Sequence, residues 1–269
     1  MPRADRTSAR EMVRYWDGIG DAWTEQHLDP VWRTHSDAVY AALLERWLPA
    51  RKLRRILKTD LFDEAVAEGL YPVVQARAER VTGFDVSPRI AAAACARYPR
   101  LEGIVADARR LPFDDGKFDA VISLSTLDHF TSRDDIRRAL VQLHRVLAPG
   151  GTLVITLDNA SNPVVALRNG LPYPLLRGFG LVPYRIGVTY SSGRFLGLLR
   201  SCGFDVRDVA FVVHCPRVIA VLASRLIERA ASRAARARFL RLLATCERLG
   251  RWPTRALTGY YTAALATRR

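Results

Sequence analysis

Val105-Ala106-Asp107-Ala108-Arg109-Arg110-Leu111-Pro112-Phe113, followed after Lys117 by Phe118-Asp119-Ala120-Val121-Ile122-Ser123-Leu124-Ser125-Thr126-Leu127-Asp128-His129-Phe130, is the stretch that decides the fold. Gly103–Ala106 and Ala120–Leu124 are short apolar runs of strand length, without the polar alternation of a half-solvated sheet, as strands covered on both faces should be. Downstream, Asp134–Leu147 has helical spacing and stops at Ala148-Pro149-Gly150-Gly151. Proline cannot continue a helix there, and glycine accepts positive φ in the turn to the next strand, Thr152–Leu157.

The same alternation extends both ways. Upstream, the expected strands are Ile56–Phe62 and Arg80–Asp85, with helices seeded near Gly69 and Ser87. Downstream, a Pro- and Gly-rich segment runs to Gly193, too long for a simple connection and suited to covering a substrate. A helix over Phe195–Arg200, a strand over Phe204–Val213, a helical stretch from Val218 to about Leu249 and a last strand over Thr258–Ala266 follow. Alternating strands and helices of this kind make a parallel sheet with helices on both faces. Residues 8–48, with Tyr15, Trp16, Trp23, Trp32, Tyr40 and Trp47, read as a helical N-terminal extension.

With 269 residues, 49% hydrophobic and 25% charged, the chain has ordinary globular composition and enough length for one large core. Cys95, Cys202, Cys215 and Cys246 form no CxxC pair, and no His/Asp/Glu group has metal-ligand spacing, so no metal and no disulfide framework is expected. The opening MPRADRTSAR lacks an apolar signal region and no apolar run reaches membrane-spanning length, so a cytoplasmic location is expected. The net charge of +14 is uneven: between Arg217 and Arg269 twelve arginines face only Glu228 and Glu247. All but three of the 41 basic residues are Arg, a skew attributed first to genomic base composition, which weakens it as a sign of nucleic-acid binding.

From Ile56 onward the chain resembles the class I (Rossmann-like) methyltransferases that use S-adenosylmethionine (SAM). Four places carry the resemblance. The turn Asp63-Glu64-Ala65-Val66-Ala67-Glu68-Gly69 has the spacing of the family's acidic-x-Gly-x-Gly-x-Gly loop, with Ala65 and Ala67 at two glycine positions. Lys58-Thr59-Asp60 leaves a second register open, in which Asp60 is the acid and the loop is longer. Asp85, followed by Val86, ends the second expected strand, where a carboxylate accepts from both ribose hydroxyls. Asp107 and Ala108 stand where the family meets the adenine, and Ser123-Leu124 ends the strand beside the transferred methyl.

The resemblance implies a doubly wound, seven-stranded, mainly parallel α/β sheet whose last strand is antiparallel, with a helical N-terminal cap (1–52) before the methyltransferase domain (53–269). Helical insertions over about 158–193 and 214–256 would cover the acceptor. It implies SAM as cofactor and methyl transfer to a small-molecule acceptor, in specialised or cell-envelope metabolism. Nucleic acid is the less favoured acceptor, because neither an Asn/Asp-Pro-Pro-Tyr/Phe run nor a Pro-Cys nucleophile follows the fourth strand. Asp128 and His129 are candidates for a general base, and Tyr190 could point a phenol at the acceptor; His144 and His214 read as structural. Tyr15, Trp16 and Trp32-Arg33-Thr34-His35 could fold over the cofactor or simply pack on the sheet. In the C-terminal helical stretch, Arg225, Arg229, Arg233 and Arg236 share one face, with Ile219, Leu222, Leu226, Ala230 and Ala234 toward another, as in a solvated helix over a core or one that touches an anionic membrane or a diphosphate.

Overall fold

A computed structural model describes residues 12–19, 30–172, 187–230 and 232–269. Seven strands form one sheet in the order β3-β2-β1-β4-β5-β7-β6. They are β1 Leu53–Thr59, β2 Ala78–Asp85, β3 Leu101–Val105, β4 Phe118–Ser123, β5 Leu147–Asp158, β6 Phe204–Val212 and β7 Tyr261–Arg268. The first five pair in parallel, while β7 runs antiparallel to both β5 and β6. The reversal of winding between β1 and β4 places the C-terminal ends of β1, β2, β4 and β5 around one crevice, where open sheets of this type bind ligands. The antiparallel β7 brings its N-terminal end to the same edge, with Tyr261 opposite Asp158.

Both faces are packed. Ile136, Ala139, Leu140, Leu143 and Val146 of the helix Arg133–Val146 are buried against one. That helix starts at Ser132, whose side chain accepts from the amide of Asp134, and has Asp134 and Asp135 at its positive end and His144 and Arg145 at its negative end. On the other face lie Pro88–Arg97 and Pro30–Trp47, the latter burying Trp32, Tyr40, Leu43, Leu44 and Trp47. Residues 12–19 form a further helix.

Several boundaries differ from the sequence expectation. The first strand begins at Leu53 and ends at Thr59, three residues before Ile56–Phe62 would place it, because Asp60 turns left-handed at φ +68° and Phe62 starts a helix. The helix seeded near Gly69 is two short ones, Phe62–Val66 and Tyr71–Ala76. β5 starts at Leu147 and runs through Gly150, which has φ +71°, with a pairing irregularity between Phe118 and Ala120 of β4. The stretch after Val218 is two helices, Arg217–Ala230 and Arg233–Cys246, and the last strand starts at Tyr261 after a helical turn at Arg255–Thr258. Ile219 and Leu226 face outward, not toward a core, because Val218, Val221, Leu222 and Arg225 turn the opposite face to the crevice. The first expected insertion contains the helix Pro163–Gly170; residues 173–186 of it lie outside the described residues.

Candidate active site

A cavity of about 420 Å³ opens at the C-terminal edge of the sheet, a volume within the range of small-molecule and cofactor sites. Around it stand Asp60 after β1, Asp85 and Val86 at the end of β2, Leu124, Ser125, Thr126, Asp128, His129 and Phe130 after β4, Asp158 at the end of β5, and Tyr260 and Tyr261 at the start of β7. Trp16, Trp32 and Tyr40 reach it from the N-terminal helices, and Arg217 and Arg225 from the helix Arg217–Ala230.

At its β1–β2 end, two carboxylates come together. Asp85 is 7% exposed; its Oδ1 accepts from the amide of Ser87 at 2.8 Å and its Oδ2 from the amide of Leu61 at 3.1 Å. Each oxygen keeps a further lone pair for a ligand hydroxyl. Burial raises the Asp85 carboxyl above the ordinary range. Burial first, and then the charge of Asp85, raise that of Asp60 well above it. Asp60 has φ +68° and accepts the amide of Phe62 with its own Oδ1 at 2.7 Å. Asp and Asn adopt this left-handed geometry more readily than most residues.

The structure separates the glycine-loop candidates. Asp60 and Asp63 both line the cavity, but Asp63 lies in the helix Phe62–Val66 and is ion-paired with Arg33. Ala65 is buried in the core. Ala67 and Gly69 line a separate hollow with Arg33 and Asp37. Gly69 is small for another reason: at φ +63° a Cβ would sit 2.7 Å from Oε1 of Glu64. Glu64 is fully buried, accepts the amides of Leu70 and Tyr71, and receives the ammonium of Lys58 at 2.8 Å.

Ala108 lines the cavity, but Asp107 does not; its carboxylate is taken up by Arg109, at 2.6 Å from Nη2 to Oδ2. Ser123 is buried behind the wall and accepts from the hydroxyl of Thr59. Tyr190 also lies away from the lining, packed in the core and bridged to Asn159. Of the expected reacting groups, therefore, Asp128 and His129 meet in the cavity and Tyr190 stays outside. His214 has its two ring nitrogens at the hydroxyl of Thr258 and the carbonyl of Phe211, which are structural contacts.

Beyond β4 the polarity changes. The side chain of Arg168 is ion-paired with buried Asp158 and donates to the hydroxyl of Tyr260. Arg217 donates to the hydroxyl of Tyr261 at 2.7 Å, with its guanidinium 4.8 Å from the ring centroid of Tyr260 and 5.9 Å from that of Trp32. Asp128 is 6% exposed; burial and then the charge of Asp158 push its carboxyl up to about 8. Burial pushes His129 down to about 4, which keeps the imidazole neutral, and Trp16 meets its ring edge-on at 4.8 Å. The tip of β4 is shaped by Ser125, at φ +52°, whose hydroxyl lies 2.8 Å from that of Tyr40 and whose amide donates to Thr156. Arg168, Arg217, Asp158, Tyr40 and the Tyr260-Tyr261 pair were not identified as site residues from sequence. Only the paired tyrosines opening a last strand offered a signal.

A model of the family described as "Methyltransferase domain" matches residues 63–155, the segment that carries Asp85, Asp128 and His129. This segment resembles the methyltransferase-domain family. Among curated relatives, a demethylmenaquinone methyltransferase of Chlorobaculum tepidum is 32% identical over 116 residues, 41% of this chain and 47% of that one. A probable tRNA methyltransferase 9B of Mus musculus is 45% identical over 60 residues, 22% of this chain and 13% of that one. The chain thus spans less than half the length of these relatives. The structure of a geranyl diphosphate C-methyltransferase from Streptomyces coelicolor, solved with S-adenosyl-L-homocysteine, has the same fold: TM-score 0.56, 15% identity, 86% of this chain and 77% of that one.

The geranyl diphosphate C-methyltransferase was solved with the demethylated form of SAM, and SAM bound in the present crevice would supply an electrophilic methyl on a positively charged sulfur. The residues present fit it. Asp60 and Asp85 are a buried pair of like charges, which a cationic ligand relieves, and Asp85 is held by two backbone amides in a position to receive ribose hydroxyls.

Proposed function

We propose that the chain transfers the methyl group of SAM to a small-molecule acceptor bound at the β4–β5–β7 end of the cavity. One observation carries this reading: Oδ1 of Asp128 and Oδ1 of Asp158 are buried with no hydrogen-bond donor among the described residues, and both side chains line the cavity. An unpaired buried acceptor costs about 1–3 kcal/mol. A hydroxyl or amine on the acceptor would remove that cost, and it is also the kind of group that attacks a methyl.

Asp128 then accepts the proton of the attacking group, since a carboxyl raised to about 8 is a stronger base than an ordinary one. His129, neutral beside it, orients the acceptor with Trp16. Arg168, Arg217 and Arg225, with Trp32, Tyr260 and Tyr261, suit an acceptor that joins an anionic group to a flat or apolar body.

The test is incubation with methyl-labelled SAM and, in parallel, a fractionated small-molecule extract, total tRNA and duplex DNA. The proposal expects label in a small molecule. Label confined to RNA or DNA, with binding that weakens steeply as salt rises, would replace it with the nucleic-acid reading.

A further inference from the structure

Behind the cavity wall, three residues distant in sequence converge. His35 lies on the helix Pro30–Trp47, Cys215 in the turn between β6 and the helix Arg217–Ala230, and Glu247 at the start of the turn Glu247–Arg251. Their ligating atoms lie within 4.8 Å of one another; His35 and Cys215 are each 3% exposed. We propose that His35, Cys215 and Glu247 form a binding site for a divalent transition-metal ion of the zinc class.

The distances favour a shared centre over a hydrogen-bonded chain. Nε2 of His35 faces both partners, 3.6 Å from Oε1 of Glu247 and 3.7 Å from Sγ of Cys215. That nitrogen has one proton or one lone pair, so it serves one partner at a time, and 3.6 Å exceeds the ordinary N–H···O range. Two ligands on a tetrahedral zinc, with usual bond lengths, stand about 3.4 Å apart for N and O and about 3.6 Å for N and S. The two observed separations from Nε2 lie close to those edges, and the sulfur and the carboxylate lie within 4.8 Å of each other. The thiolate, imidazole and carboxylate are also ligand types that zinc accepts together, with a fourth position left for water or another donor.

The surroundings hold the ligands in place. The Glu247 carboxylate accepts the amides of Val213 at 3.1 Å and His214 at 2.9 Å, the second-layer support typical of metal-bound carboxylates. Val213 has φ +61°, an outlier for a β-branched residue, and the turn it makes delivers Cys215. A bound ion would clamp the N-terminal helix to the C-terminal insertion. Trp32, three residues before His35, and Arg217, two after Cys215, line the cavity, so the clamp would fix part of its wall.

The full chain, prepared without a histidine tag, is titrated with cobalt(II) as a spectroscopic probe. A single ion per chain, with tetrahedral absorption and a thiolate-to-cobalt charge-transfer band displaced by zinc, is expected. Cys215→Ser should abolish the charge-transfer band and weaken cobalt binding about tenfold or more, while Cys202→Ser keeps both. A band that survives in a folded Cys215→Ser variant, or no saturable band in the wild type, would overturn the proposal. If Cys215→Ser does not fold by circular dichroism, the wild-type spectrum decides alone.

Discussion

The amide of Leu61 donates to Oδ2 of Asp85 at 3.1 Å, which joins the turn leaving β1 to the carboxylate at the tip of β2. Asp60 precedes that amide in the left-handed region, so the same turn sets a second carboxylate beside the first. The arrangement is unfavourable for the empty protein and favourable for a cationic ligand. Stability and binding should therefore respond in opposite directions to loss of one charge.

Asp60→Asn tests this. A carboxyl raised by folding contributes a stability that is present at low pH and lost as pH rises from the ordinary carboxylate range through the raised value. Asn keeps the left-handed backbone but carries no charge. The ligand-free variant should melt above wild type at alkaline pH and near it at about pH 4, while SAM affinity falls about tenfold. Thermal scans at both pH values and calorimetry with SAM give the readings; unchanged affinity would remove Asp60 from the cofactor site.

For Asp128→Asn, methyl transfer should fall about 10²–10⁴-fold with SAM binding retained. In the wild type the rate should rise with pH and level off near the carboxyl's value of about 8, because the deprotonated form accepts the proton. A pH–rate profile on both proteins checks this, and a variant that keeps the full rate would exclude Asp128 as the base.

Arg168→Met should destabilise the fold by about 3–5 kcal/mol, since Arg168 and Asp158 are both buried and the change leaves a charge unpaired. Changing Asp158→Leu as well should recover most of the loss. Urea unfolding of the single and double variants measures it.

Gly187 packs against the segment that carries the reacting groups. Its amide donates to the carbonyl of Asp128, and a Cβ would lie 2.3 Å from that oxygen and 2.4 Å from the carbonyl of Phe130. Gly187→Ala should therefore displace Asp128 and His129, lowering kcat about tenfold or more while SAM affinity holds. Equal loss of both would point to general unfolding.

The sheet was legible because burial enforces a continuous apolar run in β4 and helical apolar spacing in Arg133–Val146, whereas β3, at the sheet edge, is only partly buried. Asp85, Asp128 and His129 were legible because each sits next to a strand end. The first strand was placed too late because Leu61 and Phe62 read as its continuation, whereas Asp60 turns the chain left-handed into a helix; only the fold reveals Glu64 beside the ammonium of Lys58. Gly69 read as a cofactor glycine, but it makes room for that same Glu64. Arg168, Arg217 and the group His35, Cys215 and Glu247 depend on contacts across long stretches of chain, and no local spacing encodes those.

The central claim is that the Asp60–Asp85 end of the cavity holds SAM. Calorimetric titration of the full chain with SAM, with Asp85→Asn alongside, tests it most directly. Saturable binding of a single molecule per chain, weakened about tenfold or more by the substitution, is the expected result. No heat of binding at millimolar cofactor, or equal affinity in a folded Asp85→Asn variant, would contradict it.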